Sequence, residues 1–271
     1  MGTLYLVATP IGNLEDITQR ALRILGEVAL IAAEDTRVAG RMLQRYEIET
    51  PMLSYHGDSR QSRVDEIIEA LAADDVAVVS DAGMPGISDP GSDLVRAAIE
   101  RGYPVIPIPG ASSVIAAAAA SGAADHGFVF GGFLSRSGAS RLKRLRELCA
   151  PGLPVILFEA PTRIQRLLGE IAIEMPNAHI TVGREITKLY EEWLRGAPAE
   201  VARQVNPRGE FVVVIEPGAA QADPQDLLDD ILAEALAGGA TLREAVDRTI
   251  AATGMSRKLV YARALEISKR G

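Results

Sequence analysis

Residues 80–91, SDAGMPGISDPG, constrain the fold more than any other stretch of the chain. They follow an all-apolar run at 76–79 and precede Leu94, Val95, Ala98 and Ile99, which share one face of a helix. The stretch is therefore a strand-to-helix loop, and open α/β sheets bind ligands at that end of their strands. Asp89 and Pro90 are expected to be the N-cap and first position of the following helix. Gly83 and Gly86 allow close approach of the backbone to a ligand, and Pro85 and Pro90 stiffen the turn. The stretch holds two aspartates and no Lys or Arg. A phosphate cradle needs positive charge, so the expected ligand is neutral-polar or cationic: a ribose diol, an amine or a sulfonium.

The same grammar recurs along the chain. Strand-like runs at 3–8, 28–33, 52–55, 76–80 and 103–108 alternate with helical patterns, which predicts parallel βαβ units in a first domain, 1–120. Five alanines at 116–120 favour a helix packed closely on a sheet. Further runs at 128–133, 154–158, 178–183, 190–195 and 210–215 predict a second α/β domain, 121–218. Residues 216–224 form a linker, and 224–271 are helical throughout by pattern. Polar clusters at 9–13, 34–37, 81–89, 111–113, 159–163 and 184–188 each follow a predicted strand. In parallel sheets those ends point one way, so the clusters are expected to line one cleft between the two domains. Ser112 and Ser113 can cap a helix, present donors to a ligand carboxylate, or do both.

Charge narrows the partners. A net charge of −8 excludes a nonspecific nucleic-acid binder that works by overall charge. Against that background Arg136, Arg141, Lys143, Arg144 and Arg146 stand out within eleven residues and favour an anionic partner over a merely solvated helix face. Arg257, Lys258, Arg263, Lys269 and Arg270 make the C-terminal helices locally basic, in an arrangement like a helix-turn-helix. Two readings of those helices stay open: RNA contact, and helical packing or dimerisation. Cys149 is the only cysteine, and His56, His126 and His179 lack ligand spacing, so neither a disulfide nor a metal is expected. The chain shows no signal-peptide pattern and no apolar run of bilayer length, which predicts a cytoplasmic protein with no membrane partner.

Taken together, LYLVATPIGNLEDIT at 4–18, IAAEDTR at 31–37, the 80–91 loop, PIPGASS at 107–113, GGFL at 131–134, EAPTR at 159–163, REITK at 184–188 and RGEFVVVI at 208–215 form one signature. The chain resembles the small-subunit ribosomal RNA methyltransferase branch of the tetrapyrrole methylase superfamily over essentially its whole length. The resemblance implies two α/β domains with a cofactor cleft between them, plus a small helical C-terminal domain. It implies methyl transfer from S-adenosylmethionine to the ribose 2′-hydroxyl of cytidine 1402 in 16S rRNA, within the 30S subunit, by a homodimer. The cofactor would lie against Pro10, Asp81, Gly83, Pro85, Ile87, Ser112 and Ser113, with Phe158, Glu159 and Phe211 approaching from the second domain.

An attack by a hydroxyl calls for a base or an alkoxide-stabilising cation. Glu34, Asp35, Glu159 and Glu185 are the candidate bases, and Arg37, Arg184 and Lys188 the candidate cations. Glu34, Asp35, Arg37, Glu185 and Lys188 form the favoured catalytic set. Arg136, Arg141, Lys143, Arg144, Arg184, Arg257 and Lys258 are the expected RNA contacts. The chain departs from the family pattern at Thr162, where the family carries His, at Met84, where it carries Thr, and in the GDSR stretch after His56. No role is given to Thr162 or Asp58. The rival expectations are a methylase of tetrapyrroles or other small molecules, and a non-catalytic RNA-binding assembly factor.

Overall fold

A computed structural model describes residues 2–56, 60–218 and 224–268. The chain divides into two compact units, Met1–Pro217 and Gly218–Gly271. The first unit holds two five-stranded sheets.

The first sheet is built from β1 (Leu4–Val7), β2 (Leu30–Ala33), β3 (Met52–Ser54), β4 (Val76–Val79) and β5 (Val105–Ile108), in the order β3-β2-β4-β1-β5. Every pairing is parallel, as the βαβ pattern predicts. Four helices connect the strands: α1 (Gln19–Glu27), α2 (Thr36–Arg45), α3 (Arg60–Ala73) and α4 (Ser92–Glu100). All four residues of β4 are buried, because both faces of the sheet are covered. Successive side chains point to opposite faces. Ala77 and Val79 join one core with Ile24, Leu25 and Leu43, while Val76 and Val78 join another with Ile67, Leu71 and Leu94.

The helix after β4 starts later than the sequence rules place it. Its N-cap is Gly91, at φ +141°, with no side-chain cap, and its first residue is Ser92. Gly86 N–H donates to the carbonyl of Pro90, 3.1 Å away, closing a turn that holds Asp89 and Pro90 outside the helix. Asp89 is therefore not a cap.

The second sheet contains β6 (Val129–Phe133), β7 (Val155–Glu159), β8 (His179–Arg184), β9 (Glu192–Gly196) and β10 (Phe211–Glu216), in the order β6-β7-β10-β8-β9. It is a mixed sheet. The β6–β7 pair is parallel, whereas β10 runs antiparallel to β7 and β8, and β8 antiparallel to β9. The C-terminal ends of β6, β7 and β8 thus share an edge with the N-terminal end of β10. One face packs on α6 (Ala139–Cys149), α7 (Ile164–Glu174) and α8 (Pro198–Gln204) through Leu145, Leu167, Leu168 and Val201. The other face receives the alanine-rich α5 (Ser113–Ser121): Val114, Ala117 and Ala118 meet Ile156, Val212 and Val214. The helix that follows β5 of the first sheet therefore packs on the second.

The second unit is three helices, α9 (Pro224–Ala237), α10 (Leu242–Thr253) and α11 (Arg257–Ser268), around Leu228, Leu232, Ala245, Val246, Val260 and Ala264. A reciprocal capping box between Thr241 and Glu244 starts α10, and Gly254 ends it in the left-handed conformation. Lys269 and Arg270 lie outside the described residues. No helix among the described residues is long and apolar enough to cross a membrane.

Candidate active site

Between the two sheets of the first unit lies a cavity of about 710 Å³, and strand ends build it. The loop after β1 supplies Ile11, and the loop after β4 supplies residues 82–84 and 87–89. The β5–α5 connection contributes 109–115, and the far wall carries Phe130, Phe158, Glu159, Ile186, Phe211 and Val212. The two loops from the first sheet are knitted together. Thr9 and Gly83 exchange backbone hydrogen bonds of 2.9 and 3.1 Å, and the Thr9 hydroxyl donates to the carbonyl of Ser80. Ser112 caps α5 by accepting from Ile115 N–H, so capping and a place in the cavity wall hold together. Among the described residues no Lys or Arg lines this cavity, and three carboxylates do: Asp89, Glu159 and Glu210.

Of the expected cofactor contacts, Gly83, Ile87, Ser112, Ser113, Phe158, Glu159 and Phe211 line the cavity. Pro10 and Pro85 are buried in the loops behind it, and Asp81 lies to one side. Phe130 and Phe133 are wall residues that sequence reasoning missed, while Asp89, from the 81–89 cluster expected to line the cleft, lines it instead of capping a helix. The two phenylalanines sit in a strand that showed only an alternating pattern, and Asp89 carried a helix-cap signal.

Glu34, Asp35 and Arg37 line a separate recess of about 430 Å³, with Thr36, Ser54 and His56, at the ends of β2 and β3. A reciprocal pair of hydrogen bonds joins it to the 80–91 loop. Asp35 N–H donates to Asp81 Oδ1 at 3.1 Å, and Asp81 N–H donates to Glu34 Oε2 at 3.3 Å. Asp35 is the N-cap of α2, and hydrogen bonds from the Arg37 side chain and backbone hold its carboxyl far below the usual carboxylate range. Burial raises the pKa of Asp81. Burial, with Glu34 next in effect, raises Asp89 to about 6, against a bond from Ser80. No cluster of His, Cys, Asp or Glu among the described residues has the form of a metal site.

Glu185 and Lys188 line neither space. Burial pushes the Glu185 carboxyl up, but Glu210 N–H and Lys188 outweigh it and the net direction is down. Lys188 Nζ bridges Glu185 at 3.0 Å and Glu210 at 2.9 Å. This loop abuts the loop after β1: a Cβ at Gly12 would sit 2.5 Å from Lys188 Cγ. Glu159 is fully buried and saturated by Arg141, Arg163 and the N–H of Ala160, which leaves it a wall residue rather than a base.

The expected RNA contacts divide. Arg141 is wrongly placed among them, for its side chain is wholly buried between Glu159 at 2.8 Å and Glu170 at 2.7 Å. Desolvating that guanidinium is tolerable only because both carboxylates meet it. Arg184 is largely buried against Glu192. Lys143 and Arg144 are exposed beside Glu147, and Arg257 is exposed beside Asp247. Arg136 and Lys258 are exposed, with no side-chain partner among the described residues.

Comparison with known proteins places this arrangement. The family described as Tetrapyrrole (Corrin/Porphyrin) Methylases matches residues 3–202. A Synechocystis sp. protein named ribosomal RNA small subunit methyltransferase I is 42% identical over 279 residues, covering 100% of both chains. Its Bacillus subtilis namesake is 40% identical, covering 96% of this chain and 93% of the other. Among solved structures, the methyltransferase CobJ superposes with a TM-score of 0.61 at 21% identity, over 81% of this chain and 95% of that one. A Thermus thermophilus uroporphyrin-III C-methyl transferase, solved with S-adenyl homocysteine, gives 0.56 at 20% identity, over 80% and 98%. At those identities the structures speak to the fold alone. The chain belongs to the tetrapyrrole methylases, in the family of ribosomal RNA small subunit methyltransferase I.

Proposed function

We propose that this protein transfers a methyl group from S-adenosylmethionine to a ribose 2′-hydroxyl of 16S ribosomal RNA. The observation that carries the cofactor assignment is the cavity. Its described wall offers aromatic and aliphatic surface, three carboxylates and, among the described residues, no Lys or Arg, a setting suited to a sulfonium cation beside an apolar ring. The relatives' shared name supports the RNA acceptor. When bound, the cofactor supplies a methyl group activated by the positive sulfur.

The chain's own residues bind, orient and take a proton. Gly83, Ile87, Ser112, Ser113, Phe130, Phe158 and Phe211 shape the cofactor pocket, Pro10 and Pro85 support it from behind, and Asp81 stands to one side. Asp89 is the carboxylate best suited to accept the hydroxyl proton. It lines the cavity, and with a pKa of about 6 it is charged at neutral pH yet basic enough to act. Asp35 and Glu185, both held low, are weaker bases. Glu34 and Arg37 face the recess beside the cavity and suit contact with the incoming RNA, as do Arg136, Lys143, Arg144, Arg257 and Lys258. The reading extends to the assembled 30S particle as substrate, cytidine 1402 as the target and a homodimer as the working form.

One experiment tests it. The protein is incubated with methyl-labelled cofactor and either unmodified 30S subunits or uroporphyrinogen, and the labelled product is mapped. Label at a 16S ribose 2′-oxygen is the expected result. Label in the tetrapyrrole alone, or in neither, overturns the reading.

A further inference from the structure

The GGFL segment contains a device that the cofactor pocket does not require. Four of the chain's five phenylalanines line the cavity, and one of them, Phe133, is 56% exposed at its rim. Its position is imposed by a β-bulge. In the β6–β7 pair, Phe130 faces Ile156, Gly132 faces Leu157 and Phe133 faces Phe158, which leaves Gly131 as the extra residue. Without the bulge, alternation would put Phe133 on the face opposite Phe130, towards the core under α6 and α7. With it, Phe133 stands on the cavity side, its ring 5.4 Å from that of Phe158.

Two glycines lock this geometry. A Cβ at Gly131 would lie 2.6 Å from Leu157 Cδ2 and 2.7 Å from Leu148 Cδ1, and Gly132 has φ +61°. Ile87 and Ile115 are also more than half exposed where they line the cavity. Three residues beyond Phe133, Arg136 is exposed without a side-chain partner among the described residues. An outward aromatic face with an unpartnered guanidinium three residues further along the chain matches an unpaired nucleotide, whose base stacks while its phosphate meets the cation.

We propose that Phe133 is the stacking platform for the base of the nucleotide being methylated, held out of the RNA over the cavity mouth, with Arg136 at its phosphate. This rests on the RNA methyltransferase reading above. The test compares Phe133→Ala, Phe133→Trp and Arg136→Ala with wild type in steady-state methylation of 30S subunits. Cofactor affinity is measured by calorimetry and oligomeric state by sedimentation. Phe133→Ala is expected to lower kcat/KM for 30S subunits by about ten- to a hundredfold. Phe133→Trp is expected to stay within about threefold of wild type, because it keeps a π face. Both should bind S-adenosylmethionine as wild type does, and Arg136→Ala should weaken the salt dependence of the KM for 30S subunits.

Wild-type kcat/KM in Phe133→Ala overturns the proposal. So does equal damage from Trp and Ala. A loss of cofactor affinity matching the loss of activity would place the ring on the cofactor, and a shift to a smaller species would place it under a second copy of the chain; either overturns the proposal. Failure of wild type itself to label 30S subunits is a separate result, which removes the RNA reading beneath it.

Discussion

Asp89 precedes a proline at a loop-to-helix junction, and local rules make such a residue a cap. The turn closed by Gly86 and Pro90 makes it a cavity carboxylate instead. Its folded pKa, about 6, lies above the ordinary 3.8, so charging it opposes folding. That penalty is absent below about pH 4, grows as the pH rises and is complete above about pH 6. Asp89→Asn should therefore raise the Tm relative to wild type at about pH 8, with the difference vanishing near pH 4, as thermal melts across pH would show. The same substitution should lower single-turnover methylation about 10²- to 10⁴-fold, and the wild-type rate should have an acidic limb near the Asp89 pKa. Arg141 is the opposite case, a cation drawn inward. Arg141→Met removes the partner of buried Glu159 Oε2, leaving Arg163 and the Ala160 N–H to hold only Oε1, and should cost about 3–5 kcal/mol of stability in urea unfolding. Because Arg141 never reaches solvent, the salt dependence of 30S binding should not change, whereas Lys258→Ala should reduce it.

At the scale of elements, helices and parallel strands announce themselves through local periodicity. The helix at 60–73 and the run at 76–79 are examples, since burial on one stripe or on both faces leaves a repeating pattern. Bulges and strand direction leave no such trace. Nothing in the run at 210–215 distinguishes a parallel from an antiparallel neighbour, and only pairing with β7 and β8 makes β10 antiparallel. Two elements carry predictions. Thr241→Ala removes half of the capping box and should destabilise the helical unit by about 1 kcal/mol, measured by its urea midpoint. Gly12→Ala would force a methyl onto Lys188 Cγ at φ +155°. It should cost about 1–3 kcal/mol and weaken cofactor binding by shifting Ile11 in the cavity wall, which calorimetry would detect.

At the scale of the whole molecule, the described residues that line the cavity all lie within Met1–Pro217. A chain ending at Pro217 should therefore bind S-adenosylmethionine within about threefold of the full-length affinity by calorimetry, while its affinity for 30S subunits falls with the loss of Arg257 and Lys258. A matching loss of cofactor affinity would mean that the helical unit completes the pocket. The acidic total charge is consistent with this division. Carboxylates line the cavity, while exposed cations without a side-chain partner among the described residues, Arg136 and Lys258 among them, lie outside its lining.

The sequence by itself determined the α/β class, the helical C-terminal section, the family and much of the first sheet's side of the cavity. Those features are local: a strand's apolar run, a loop's glycines and a helix's periodicity all lie within one short window. Only the tertiary structure decided that the second sheet is mixed, that α5 belongs to its face, that Arg141 is buried, and that Asp89 and Phe133 turn towards the cavity. Each of those outcomes depends on partners tens of residues away. Arg141 meets Glu159 and Glu170 from other elements, and Phe133 takes its face from a register set by Leu148 and Leu157. Side-chain type is written in the chain, but the direction a side chain faces is set by what packs against it.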